Sequence, residues 1–215
     1  MFIDCSTLEG VNILDKNSVY IQKGVIIGKN VTIYPNNILL EGCIIEDNVK
    51  LLPNNFISNS TVKSGASVFY SVIESSVVKE DATIGPFSHL RPNSIIEEKA
   101  KIGNFVETKN STIGQQTKVS HLSYVGDASV GKKVNIGCGV VFVNYNGKQK
   151  NKTIIEDNSF IGSSVNLIAP VKVEQDCFIC AGTTVDKDVS KGDFVIGRSR
   201  MTIKKDRAYK YLRSN

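Results

Sequence analysis

Tryptophan is absent from this 215-residue sequence, and histidine and methionine occur only twice each. No apolar run approaches the roughly 20 residues needed to cross a bilayer. Residues 1–10 carry Asp4 and Glu9 where a secretory leader would place a cationic start and an apolar stretch. The sequence therefore predicts no membrane insertion and a cytoplasmic location. The five cysteines, Cys5, Cys43, Cys138, Cys177 and Cys180, are an odd, scattered set, which argues for reduced thiols. The one CxxC, Cys177 and Cys180, lacks a second pair and a nearby histidine. A structural zinc needs four ligands, so packing is the better account and no metal is expected. Two histidines also argue against a metal-dependent hydrase, which would need about three in a zinc-like site.

Disorder is excluded in turn. Apolar residues make up 41% and charged residues 22%, ordinary values for a folded chain. Four Asn-x-Ser/Thr triplets, at Asn30, Asn59, Asn110 and Asn151, read as turns, because a cytosolic chain is not glycosylated there. The net charge of +5 is a property of the end of the chain. From residue 198 onward come Arg198, Arg200, Lys204, Lys205, Arg207, Lys210 and Arg213 against one acid, Asp206, leaving residues 1–197 close to neutral. A nucleic-acid binder spreads positive charge along a face of its body, so no nucleic-acid partner is expected. The tail reads as a partly helical arm, either solvated or engaged with a phosphorylated ligand. Tyr209 and Leu212, three apart, give it an apolar edge.

What the sequence does have is a period of six. Aliphatic residues recur at Ile27, Ile33, Leu39, Ile45, Leu51 and Ile57, again at Val78, Ile84, Leu90, Ile96 and Ile102, and again at Ile155, Ile161, Leu167, Val173, Ile179 and Val185. Four positions after these come small or β-branched residues such as Val31, Cys43, Val49, Ala82, Ser88, Ala100, Ser159, Val165 and Thr183. Six matches neither the 3.6 of a helix nor the alternation of a hairpin. It fits a solenoid in which each hexad supplies one short strand and one corner, and three hexads make a triangular coil with neighbours about 4.8 Å apart. The period does not fix the hand. One polar insertion, residues 144–150, leaves the wall as a loop, a place where binding residues collect. Residues 1–10 are expected to lead in, 11–197 to form the β-helix and 198–215 the basic arm.

Phase within the coil then sorts the polar residues. His121 lies two after Val119, and Cys138, Ser163 and Ala181 lie two after Ile136, Ile161 and Ile179. Allowing for one short step and the loop, each follows the last by one coil, so the four should line up parallel to the prism axis. Arg198 follows 17 residues later. An imidazole able to act as a base near neutral pH, small residues in the middle and a cation at the far end would suit an extended thioester cofactor. Outward small residues are also common on such prisms. His89, after Pro86 and Phe87, reads as surface packing. Arg91 and Lys109, 18 apart, would stack as two cations fit to hold a phosphate, or as two solvated charges. They occupy a different phase from His121, and pairing one subunit's wall with a neighbour's is one way to bring both sets together.

Residues 83–92 (TIGPFSHLRP), 102–109 (IGNFVETK), 120–127 (SHLSYVGD), 135–139 (NIGCG), 144–147 (NYNG) and 181–184 (AGTT) closely resemble the acetyltransferase domain of the bacterial bifunctional N-acetylglucosamine-1-phosphate uridyltransferase family. The resemblance runs from about Gly10 to Lys205. It implies a left-handed parallel β-helix, a homotrimer, acetyl-CoA as donor and glucosamine-1-phosphate as acceptor, with a product used for UDP-N-acetylglucosamine and cell-wall precursors. Carried over by motif, it makes His121 the general base. It assigns Arg91, Lys109, Tyr124 and Asn135 to the sugar phosphate. Cys138, Asn144, Tyr145, Ser163, Ala181 and Arg198 fall to acetyl-CoA. Cys138 stands where many relatives have Ala, and Asn146 where many have Asp. An acetyl-cysteine intermediate at Cys138 is disfavoured, since no base neighbours it and direct attack needs none. The nucleotidyltransferase motif that opens many relatives does not precede Gly10, so uridyl transfer and its Mg²⁺ are expected to be absent from this chain. Transfer to another amino sugar, or a non-catalytic scaffold that binds sugar phosphate, remain the alternatives.

Overall fold

The computed structural model describes residues 1–5 and 8–212. Its hexads fold into strands of two to four residues, sorted into three parallel sheets of 11, 10 and 9 strands. The first wall runs from Val11–Ile13 to Phe194–Val195, the second from Tyr20–Ile21 to Thr184–Val185, and the third from Ile26–Ile27 to Val171–Val173. Each strand pairs with the one three places on, except that Phe178–Ile179 pairs with Phe194–Val195 two places on, so successive coils stack as the period required. Ile102 pairs with Val119, Val119 with Ile136, and Ile161 with Ile179. Across the loop the register holds, Ile136 pairing with Ile161. The result is a parallel β-solenoid of about ten turns, the prism that the period and the resemblance implied.

The expected inward positions are the core. Every aliphatic residue of the three runs is buried except Ile27, which sits half-buried on the outermost strand of the third wall. The small residues four positions on are buried too, from Val31 to Thr183. Each large aliphatic removed from water contributes on the order of 1.5–3 kcal/mol, so the prism is held by its axis rather than by its faces. Cys43 and Cys177 belong to this set. Burial pushes both thiols above their ordinary pKa, as suits packing residues.

Corners turn through left-handed backbone. Three of the four Asn-x-Ser/Thr asparagines take it, Asn30 at φ 56°, Asn59 at 45° and Asn110 at 47°. Asn tolerates that region because its short side chain hydrogen-bonds locally. Asn30 and Asn36 donate to Asn48 and Asn54 in the next coil. At the start, Phe2 bridges antiparallel to Gln22. At the other end the arm carries one helical turn, Tyr209–Leu212, with Tyr209 and Leu212 both exposed. Arg213, the last of the seven basic residues, lies outside the described residues. No helix among the described residues is long and apolar enough to cross a membrane.

Candidate active site

His121 ends the first-wall strand Lys118–His121 at the corner with the second wall, and it is exposed as its phase required. Backbone hydrogen bonds carry the line up the corner. Gly139 N–H donates to the Leu122 carbonyl (2.9 Å), Ser164 N–H to that of Cys138 (2.8 Å) and Gly182 N–H to that of Ser163 (2.8 Å). Cys138, Ser163 and Ala181 are therefore stacked above His121, and all are exposed. Arg198 completes the column, its Nη1 donating to the Ala181 carbonyl at 2.8 Å.

The imidazole is oriented by a residue one coil before it, Asn104. Asn104 pairs with His121 in the neighbouring coil, and its Oδ1 lies 2.7 Å from His121 Nδ1. A carbonyl oxygen only accepts, so Nδ1 carries the proton and Nε2 presents its lone pair outward. That tautomer is the one a general base requires. Asn104 was readable as His121 minus one coil, 17 residues, had the His column been extended backward.

Arg91 and Lys109 also stack as expected, on the second wall, where Leu90 pairs with Thr108. They are not simply two free cations. Arg91 Nη1 donates to Glu107 Oε1 at 2.8 Å, an ion pair on a half-exposed face. Lys109 instead meets like charge. Its ammonium titrates below the ordinary lysine range, chiefly through contact with Lys150, with smaller contributions from burial and Arg91. Lys150 comes from the loop, which returns through an antiparallel bridge between Tyr145 and Lys150. Three cations converge where sequence phase placed two, and an anion between them would relieve the crowding.

Tyr124 and Asn144 join the same edge. Asn144 is buried, and its Nδ2 donates to Asp127 Oδ2 (2.6 Å) and Tyr124 Oη (3.3 Å). Gly126 makes room for this arrangement, since a Cβ there would collide with the Tyr124 hydroxyl and lie 2.7 Å from Asn144 Nδ2. Tyr145 is exposed, its hydroxyl donating to the Gly147 carbonyl. Asn135 stands on the first wall, between Lys118 and Phe160 in the stack. A cleft of about 450 Å³ opens beside the loop, lined by Asn110, Asp127, Lys150 and Lys152 among others.

One chain thus assembles two groups, a His121 corner and a cationic edge, at opposite sides of the second wall. Between them the chain turns the corner at Leu122 and runs the second-wall strand Tyr124–Gly126, whose last residue is the strand neighbour of Lys109. His89, expected to pack on the surface, is half-buried with Nε2 2.7 Å from Glu74 Oε2. Among the described residues no group of three or more His, Cys, Asp or Glu is placed to hold a metal.

Family models match three segments of the chain: the GMPPB C-terminal domain over residues 72–146, the bacterial transferase hexapeptide (six repeats) over 24–59, and the hexapeptide repeat of succinyl-transferase over 152–187. The bifunctional protein GlmU of Caldicellulosiruptor saccharolyticus is 50% identical over 196 residues, covering 91% of this chain and 42% of that protein. GlmU of Clostridium perfringens strain SM101 is 53% identical over 191 residues, covering 89% and 42%. The chain spans less than half the length of these curated relatives. Among solved structures, an Arabidopsis UDP-N-acetylglucosamine acyltransferase is similar at 15% identity and TM-score 0.49, over 88% of this chain and 70% of that one. A mutant perosamine N-acetyltransferase of Caulobacter crescentus, in complex with CoA and GDP-perosamine, is similar at 19% identity and TM-score 0.48, over 54% and 53%.

Proposed function

The chain belongs to the GlmU family, in its C-terminal hexapeptide-repeat part, and from that premise we propose that it transfers the acetyl group of acetyl-CoA to the amine of glucosamine-1-phosphate. The observation that carries this reading is His121. Its Nδ1 is committed to Asn104, its Nε2 is open, and it heads a column of small residues that ends in Arg198.

The reaction follows from that arrangement. The amine attacks the thioester carbonyl in its neutral form, and Nε2 takes the proton that the nitrogen loses as the C–N bond forms. Collapse of the tetrahedral intermediate breaks the C–S bond, and the imidazolium returns the proton to the departing thiolate. Positioned bases of this kind contribute typically 10²–10⁴-fold. The oxyanion needs a backbone donor near the acyl carbon. The amides of Gly137 and Gly139 already serve the carbonyls of Ile161 and Leu122, which leaves Cys138 N–H as the candidate.

Arg91, Lys109 and Lys150 would hold the phosphate, with Tyr124 and Asn135 beside the sugar. Cys138, Ser163 and Ala181 would floor the pantetheine arm, with Asn144 and Tyr145 reaching from the loop and Arg198 at the phosphates. Because the two groups sit on opposite edges of one wall, the site is completed between copies, which supports a homotrimer. Thiol release from acetyl-CoA, measured with and without glucosamine-1-phosphate and across a panel of other amino sugars, tests the proposal. Acceptor-dependent release with glucosamine-1-phosphate preferred is expected. Release that ignores the acceptor, or none from folded protein, would refute it.

A further inference from the structure

Outward positions of the first wall form a second column, parallel to the His121 corner. Through the first eight coils it is polar or charged: Asn12, Thr32, Lys50, Ser67, Thr83, Lys101, Lys118 and Asn135. In the last three coils it changes to Phe160, Phe178 and Phe194. The rings stack, with centroids 4.6 and 5.3 Å apart and planes within 11°. All three remain exposed, Phe194 most of all at 67%. The core does not need them, since Ile161, Ile179 and Val195 fill the inward positions beside them. Phe194 ends the ladder because, among the described residues, the wall ends there and no further strand lies beyond that face of its ring.

The change of chemistry is confined to the coils that carry Ser163, Ala181 and Arg198. Phe160 lies three residues before Ser163, Phe178 three before Ala181 and Phe194 four before Arg198. A thioester cofactor laid along the corner with its pyrophosphate near Arg198 has its adenosine still to place. A purine stacks readily on an aromatic face, an interaction that tolerates any base because every base has a π-face. We propose that the Phe160–Phe178–Phe194 ladder is the adenine subsite of the cofactor, with the purine stacked on Phe194 as a fourth ring. This rests on the acyl-transfer reading and adds to it the part of the donor that the family motifs leave unassigned.

The test is calorimetry on the full chain with two donors, acetyl-CoA and S-acetyl-4′-phosphopantetheine, which lacks the adenosine. Phe194→Leu keeps an apolar side chain on the edge strand but removes the π-face, and Phe194→Tyr restores it. Loss of stacking should weaken acetyl-CoA by about tenfold while leaving the truncated donor unchanged, and the tyrosine variant should recover most of the affinity. Equal weakening of both donors, or no change in either, would overturn the subsite. So would a fall in sedimentation coefficient with donor affinity intact, which would make the ladder a contact between copies. Wild-type protein that binds neither donor would instead remove the acyl-transfer reading beneath it, a result readily told apart from the others.

Discussion

Along the edge where the first and second walls meet, the two halves of the prism are built from opposite side chains. In the N-terminal half the turn position passes through Asn36, Asn54, Tyr70, Phe87 and Phe105 to Leu122, all in left-handed backbone. In the C-terminal half the same position is Gly139, Ser164 and Gly182. Bulky residues there cost roughly 1–2 kcal/mol each in conformation. Ring contacts of Tyr70 with Phe87 and of Phe87 with Phe105 return part of that, about 0.5–1.5 kcal/mol per pair. The rings stay exposed, so they close a surface rather than a core. Small residues in the other half leave the edge open along its length. His121 stands at the change, so the same corner is closed by bulky side chains below the proposed base and left open by small ones above it.

The comparison breaks first at His121. His121→Ala should lower kcat by about 10²–10⁴ and change stability by no more than about 0.5 kcal/mol, because the side chain is outside the core. His89→Ala, which removes the Glu74 pair, is the control. Steady-state kinetics beside thermal melts decide it, and retention of more than about a tenth of kcat would remove His121 as the base.

Next in size is an exchange of one half's chemistry for the other's. Ser163→Phe puts an aromatic into the open half. Acetyl-CoA KM should rise by about 10² if the column is the donor channel, with the melting temperature unmoved because Ser163 is exposed. Normal donor binding in a well-folded variant would mean that the small residues line nothing.

The cationic edge gives a smaller effect, with a pH signature. Lys109→Ala should raise the glucosamine-1-phosphate KM by on the order of tenfold, and acetyl-CoA KM should stay put. In the free protein the charged form of Lys109 is disfavoured by Lys150, so its folded pKa lies below its unfolded one. The resulting repulsion destabilises the folded chain while Lys109 is charged and is relieved as pH rises through the lowered pKa. If Lys109 holds the phosphate, acceptor affinity should run the other way, strongest with Lys109 charged and falling from a pH below the ordinary lysine range. Lys150→Gln removes the leading cause, so that fall should move to higher pH. An alkaline limb that stays fixed would take Lys109 out of the phosphate site.

The smallest change is expected in the closed part of that corner. Phe105→Asn places a residue suited to left-handed backbone where a phenylalanine now sits at φ 58°. Relief of backbone strain and loss of one stacked pair nearly cancel, so monomer stability should shift by no more than about 1 kcal/mol. Self-association, read by sedimentation, should weaken. Unchanged assembly would leave the aromatic edge without a partner copy.

Much of this was legible beforehand, for an identifiable reason. An inward residue of a narrow prism is apolar in nearly every coil (Thr108, buried between Leu90 and Val125, is an exception), so Ile102, Val119, Ile136, Ile161 and Ile179 announce the phase, and His121, Cys138, Ser163 and Ala181 follow at a fixed offset. Glu107 beside Arg91, Lys150 beside Lys109 and Asn104 beside His121 were harder to see. Their side chains meet across coils or come from a loop that interrupts the period, and a hexad frame carries no information about where a loop returns.

The sequence by itself determined the three-walled prism, its register and the side of the wall on which each polar residue stands, because burying a periodic apolar stripe permits only one phase. Tertiary structure alone decided which nitrogen of His121 is free, since the Asn104 carbonyl oxygen in the next coil commits the other one. It alone decided how many positive charges crowd around Lys109, since the Tyr145–Lys150 bridge folds the loop back onto the wall. Both depend on distances between coils, set by backbone pairing rather than by the residues along any one strand.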